Sequence, residues 1–73
     1  MDRERIIKIA IKRFSVSPEQ VTIGDNLVNR YNQKGWFLGR DYPVLIDGEL
    51  VGWATSCNRL LTLRKNQTYD AIQ

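Results

Sequence analysis

The side chains whose types could make or break bonds are Cys57 and the carboxylates Asp25, Asp41, Asp47 and Glu49. Their setting does not support catalysis. The chain has no histidine, so the commonest general base is missing and neither a Cys/His nor a Ser/His pair can be assembled. Arg59 lies close enough in sequence to favour a Cys57 thiolate, but a lone cysteine in so small a domain is first of all a packing residue. Asp47 and Glu49 flank a turn tip, where no cleft is expected. One cysteine without histidine does not make a zinc centre, and acidic ligands at calcium-loop spacing are missing. The sequence therefore predicts a protein that is not an enzyme and needs no cofactor or metal.

Binding has better material. Eleven basic against 8 acidic residues leave a net charge of +3, which permits a polyanionic partner without demanding one. Asn26, Asn29, Arg30 and Gln33 carry the amide and guanidinium groups that read adenine and guanine edges. Lys34 and Arg40 can meet phosphates, and Arg5, Lys8 and Lys12 add a basic stripe. The rival constellation is aromatic. Trp36, Phe37, Tyr42 and Trp53 crowd a short stretch, and large rings are the usual anchors of protein interfaces; the alternative is that they are simply the core.

These residues must be positioned by the elements around them, and the clearest element is Tyr42 to Thr55, YPVLIDGELVGWAT. Asp47-Gly48 between two β-rich runs predicts a type I′ hairpin, because both central residues of that turn need positive φ. A two-residue loop sets Ile46 opposite Glu49, Leu45 opposite Leu50, Val44 opposite Val51, Pro43 opposite Gly52 and Tyr42 opposite Trp53. In that register the amide that Pro43 lacks would point away from the partner strand, so residues 42–46 read as a sheet edge. An open edge can pair with a partner's strand or with a second copy, so a homodimer through it is one expected partner.

Residues 3–14 alternate imperfectly as a strand but place Ile6, Ile7, Ala10, Ile11 and Phe14 on one helical arc, which predicts a helix with its isoleucine face on the hairpin. Ser17-Pro18-Glu19-Gln20 combines an N-cap serine, a proline at the first helical position and a glutamine placed for a capping box. A third helix is expected over about residues 25–33, with Ile23, Leu27 and Tyr31 on one face and Gly35 as its stop. Residues 36–38 are too short for a helix and read as a brief strand or as packing beside the sheet. Residues 59–65 fit strand or helix; the hairpin asks for a third strand beside 49–55, which favours strand. Residues 66–73 read as a loose tail.

Two family likenesses arise from this order. Helix, short capped helix, helix 25–33 and hairpin follow the order of a winged helix, whose third helix enters the major groove while the hairpin touches backbone. Residues 6–27, from Ile6-Ile7-Lys8-Ile9 through Phe14-Ser15-Val16-Ser17-Pro18-Glu19-Gln20-Val21-Thr22 to Leu27, resemble the opening helix and first loop of acyl carrier proteins. The Asp-Ser-Leu motif that carries the family's phosphopantetheine has no counterpart here, so no function is carried over.

The sequence as a whole thus predicts one α+β domain over residues 1–73, with two or three helices packed on a small antiparallel sheet that contains the 42–55 hairpin. A chain this short buries only about 60% of its unfolded surface. No run is long enough to span a membrane, no secretory pattern opens the chain, and one cysteine fits a reducing compartment, so a cytoplasmic location is expected. The expected role is a small basic regulator that faces DNA, with nucleic acid bound by Asn26, Asn29, Arg30, Gln33, Lys34 and Arg40. The alternative is a protein-docking or inhibitory module, such as a virus-encoded inhibitor of a host complex, acting through Trp36, Phe37, Tyr42, Trp53 and the edge strand.

Overall fold

The computed structural model describes residues 1–72. One α-helix, α1 (Arg3–Phe14), is followed by a 3-10 turn (Pro18–Gln20) and six strands: β1 (Val21–Ile23), β2 (Val28–Tyr31), β3 (Phe37–Ile46), β4 (Glu49–Ala54), β5 (Leu60–Thr62) and β6 (Thr68–Tyr69). All pairings are antiparallel, in the order β5-β4-β3-β2-β6, with β1 also on β3. The molecule is therefore mostly sheet, which corrects the expectation of two or three helices on a small sheet.

The helix forms where the isoleucine arc predicted it. Asp2 caps it by accepting from the Arg5 amide, and Ser15 ends it in the left-handed region at φ 54°, returning its N–H to Ile11 O. Ile6 and Ala10 are fully buried on its inner face. Ser17 and Gln20 also make the predicted local bond, the Ser17 amide donating to Gln20 Oε1 at 2.8 Å, but the turn it closes is only three residues long.

The third helix does not exist. Residues 24–27 are a bend and residues 28–31 are β2, paired with β3 on one edge and β6 on the other. Ile23, Leu27 and Tyr31 are spaced by four, which a helix would exploit, but Val28 and Arg30 are buried while Asn29 and Tyr31 are half-buried, the period of a strand. The residues expected to stop that helix instead build a hairpin turn. Gly35 has φ 84°, and Asn32 Oδ1 accepts from the amides of Lys34 and Trp36, both at 2.9 Å.

The Asp47-Gly48 turn is as predicted, with φ 52° and 82°, and Ile46 faces Glu49 and Leu45 faces Leu50. Beyond them Val51 is an extra residue, so Val44 faces Gly52, Pro43 faces Trp53 and Tyr42 faces Ala54. This bulge moves Trp53 to the Pro43 face of the sheet.

Nor is β3 an edge. β1 and β2 run along its other side as one strand interrupted at residues 24–27, and β4 lies on the first. The expected route to a homodimer, through a bare 42–46 margin, is thus occupied by the chain itself. Pro43 explains the interruption. It has no N–H to offer, and the ladder is held at that point by the Gly24 amide donating to Pro43 O at 2.9 Å. A Cβ on Gly24 would lie 2.6 Å from Pro43 Cγ, so only glycine lets the bend close on the proline ring. Arg3 straps the bend to the helix, donating to Ile23 O at 2.7 Å and pairing with Asp25 at 2.7 Å.

Side chains are buried on both faces of the sheet. On one, α1 packs Ile6 and Ala10 against Val21, Ile23, Val44, Ala54 and Leu60. On the other, Val28, Pro43 and Trp53 are buried with the Arg30–Asp41 pair. The strand expected beside β4 is present as β5, pairing Gly52 with Thr62 and Ala54 with Leu60. Within 66–73, read as a tail, residues 68 and 69 form β6, and Tyr69 sets its ring edge-on to Trp53 at 5.3 Å.

Candidate functional site

The molecule measures 35 × 21 × 20 Å. Part of β2 and β3 extends past the strands paired with β1 and β4, and the connecting turn exposes the largest rings. Trp36 is 69% exposed and Phe37 60%. The turn is rigidly built for a loop of its length. Besides the two bonds to Asn32 Oδ1, the Asn32 amide donates to Trp36 O at 2.8 Å and the Gly35 amide to Asn32 O at 2.9 Å. Lys34 Nζ lies 5.9 Å from the Trp36 ring centroid, and Phe37 meets Tyr31 edge-on at 6.3 Å. A bulge at Leu38 offsets β3 from β2, and Leu38 is exposed.

The hairpin's own charges are almost all of one sign, although the Asp70 carboxylate is bonded to Asn29 and Tyr31 on β2. No carboxylate occurs from Asn26 to Arg40, while Arg30, Lys34 and Arg40 all lie within that stretch. Arg30 is spoken for: its Nε and Nη2 meet Asp41 Oδ2 at 2.9 and 2.7 Å, and its guanidinium lies 5.7 Å from the centroid of the Trp53 ring. Lys34 and Arg40 are exposed and make no ion pair among the described residues.

Of the six residues read as nucleic-acid contacts, the structure gathers Gln33 and Lys34 in the turn and Arg40 on the adjoining strand. Asn26 is exposed in the bend, away from them in sequence. Asn29 Nδ2 donates to Asp70 Oδ2 at 3.1 Å, and Arg30 is buried. Of the four aromatics read as protein contacts, Trp36 and Phe37 are exposed. Trp53 is 1% exposed, and Tyr42 is half-buried against the helix-side core. Both sets therefore mix surface with interior, and their exposed members other than Asn26 lie on the β2–β3 hairpin.

The sequence offers Tyr31 only as part of an apolar helix face and singles out no role for Asp70, yet the two meet in the fold. The Tyr31 hydroxyl donates to Asp70 Oδ2 at 3.2 Å, and the Asp70 amide donates to Asn29 O at 3.1 Å. Loss of solvent around the phenol, followed by the Asp70 hydrogen bond and charge, raises the Tyr31 pKa above its ordinary 10.0. The signal that could have exposed this end was Asn32-Gln33-Lys34-Gly35, a loop signature between Val28–Tyr31 and Phe37–Leu38.

Cys57 is exposed, and among the described residues no three His, Cys, Asp or Glu side chains gather as metal ligands would. No helix is long and apolar enough to cross a membrane. Compared with protein-family models, curated proteins and solved structures, the chain finds no match.

Proposed function

We propose that this chain is a non-catalytic binding module that holds single-stranded nucleic acid on the free end of its β2–β3 hairpin. One observation carries the reading: two rings, Trp36 and Phe37, stand in solvent on a hairpin whose residues 26–40 include the exposed cations Lys34 and Arg40, which make no ion pair among the described residues, and no carboxylate. Exposed aromatic faces stack on unpaired bases, and flanking cations follow the backbone. Reading of duplex DNA by a helix is withdrawn with the helix that would have entered the groove.

The experiment is a fluorescence titration with oligothymidine. Trp53 is enclosed, so quenching reports Trp36. Binding should weaken with salt by a slope of about −0.7 per phosphate neutralised. Trp36→Ala should cost about 1–3 kcal/mol of binding, and Lys34→Ala or Arg40→Ala should each flatten the salt slope. Absence of quenching at low salt would reject the proposal. Protein docking is the second reading, favoured by the contiguous exposure of Trp36, Phe37 and Leu38; it predicts a partner whose capture is insensitive to salt and is lost in Trp36→Ala.

A further inference from the structure

Beside the hairpin end, on the Trp53 side of the sheet, a cleft of about 420 Å³ opens between Leu38 on β3 and the β5 segment. Leu38 and Leu61 make apolar walls, Thr62 and Gln67 contribute hydrogen-bonding groups, and Arg30 and Arg64 bring two guanidiniums to it. No carboxylate among the described residues lines it. Asp41 offsets the charge of Arg30 and fixes its orientation from behind. Arg64 is exposed, with no ion pair among the described residues, so the cleft carries one uncompensated positive charge. Its rim is well anchored, because the Leu63 amide donates to Val51 O at 3.0 Å just before Arg64.

We infer that this cleft is a nucleotide subsite, in which the base lies between Leu38 and Leu61 and the phosphate meets Arg64. The size is that of small-ligand sites, which run from about 300 to 1,000 Å³. The lining combines leucines with hydrogen-bonding groups and one uncompensated guanidinium, which matches a base joined to a phosphate better than a purely apolar or purely anionic ligand. The inference rests on the proposed nucleic-acid role and extends it to a second contact, at Leu38, the residue after Phe37 in the chain.

The test is an NMR titration of the full chain with adenosine monophosphate and uridine monophosphate, with inorganic phosphate alone as a parallel arm. Saturable amide shifts are expected at Leu38, Leu61, Thr62, Arg64 and Gln67, with a dissociation constant at or below about 1 mM and weaker binding of phosphate alone. Arg64→Ala, at an exposed position that should not disturb folding, should weaken mononucleotide binding about tenfold. Trp36→Ala should leave it unchanged while weakening oligonucleotide binding. Shifts confined to residues 33–37, no saturation, or full binding by Arg64→Ala would overturn the subsite. The two claims fail separately: oligonucleotide binding without mononucleotide shifts at the cleft removes only the subsite, and mononucleotide binding without oligonucleotide binding removes only the strand-binding role.

Discussion

Arg30 carries its charge into the buried side of the sheet that holds Trp53. Sequence alone set it among asparagines on a helix face and gave it a base to read; in the fold it is 8% exposed and paired to Asp41, whose side chain is equally enclosed. The partner lies 11 residues away, a distance that only the hairpin closes, so nothing in the local pattern could pair them. The physical consequence is a stability prediction. Removing one member of a buried pair leaves the other charged and uncompensated, which costs about 3–5 kcal/mol, whereas replacing both by apolar groups of similar size is near neutral. Arg30→Met should therefore lower the urea midpoint sharply, and Arg30→Met with Asp41→Leu should recover most of the loss. A small effect in the single variant would mean that the pair is not enclosed as described. Arg30→Ala is for the same reason a poor probe of binding.

Among the elements, those with short-range signatures were legible. The isoleucine arc found α1, Asp47-Gly48 found the β3–β4 turn, and the capping pattern found the 3-10 turn. What misled was spacing shared by two periods: Ile23, Leu27 and Tyr31 suit a helical face, but Val28 and Arg30 turned inward decide for a strand, and their burial depends on β3 and β6. The missing amide of Pro43 predicts a sheet margin at 42–46, whereas β1 and β2 cover that side and leave only a gap in the ladder at the proline. The chain meets that gap by bending at Gly24, not by leaving β3 at the margin. At the candidate site Lys34, Trp36, Phe37 and Arg40 were legible as binding types, but their gathering at one end needed the hairpin. Gly52 supplies the element-scale prediction. A Cβ there would run into the backbone carbonyl of Leu61 on β5, and backbone cannot step aside as a side chain can. Gly52→Ala should push β5 away and cost about 1–3 kcal/mol, the usual range for overpacking. Faster amide exchange at Thr62 and Leu63 would check it; unchanged exchange would show that β5 has room to move.

At the scale of the whole molecule, the closing contact is that of β6 on β2, which brings the end of the described chain to its first half. Tyr31 and Asp70 lie at that seam. The Tyr31 pKa is raised in the folded state, so its contribution to stability is fully present below the ordinary 10.0 and is lost as pH rises through the folded value, because the folded form holds the proton more tightly than the unfolded. Thermal unfolding should thus fall in midpoint above about pH 10, and Asp70→Asn, which keeps a hydrogen-bonding group but removes the charge, should bring the phenol's absorbance titration back toward its ordinary value. No change on that substitution would detach Asp70 from the effect. The extra residue at Val51 reaches further still. Because Val51 stands outside the ladder, a strand shortened by that residue would still set Trp53 opposite Pro43 and Ala54 opposite Tyr42. Regular pairing with Val51 retained would instead trade the faces of Trp53 and Ala54, pressing an indole into space shaped for a methyl group and leaving Arg30 without its ring. The protein's two interiors are thus kept apart by one residue that pairs with nothing.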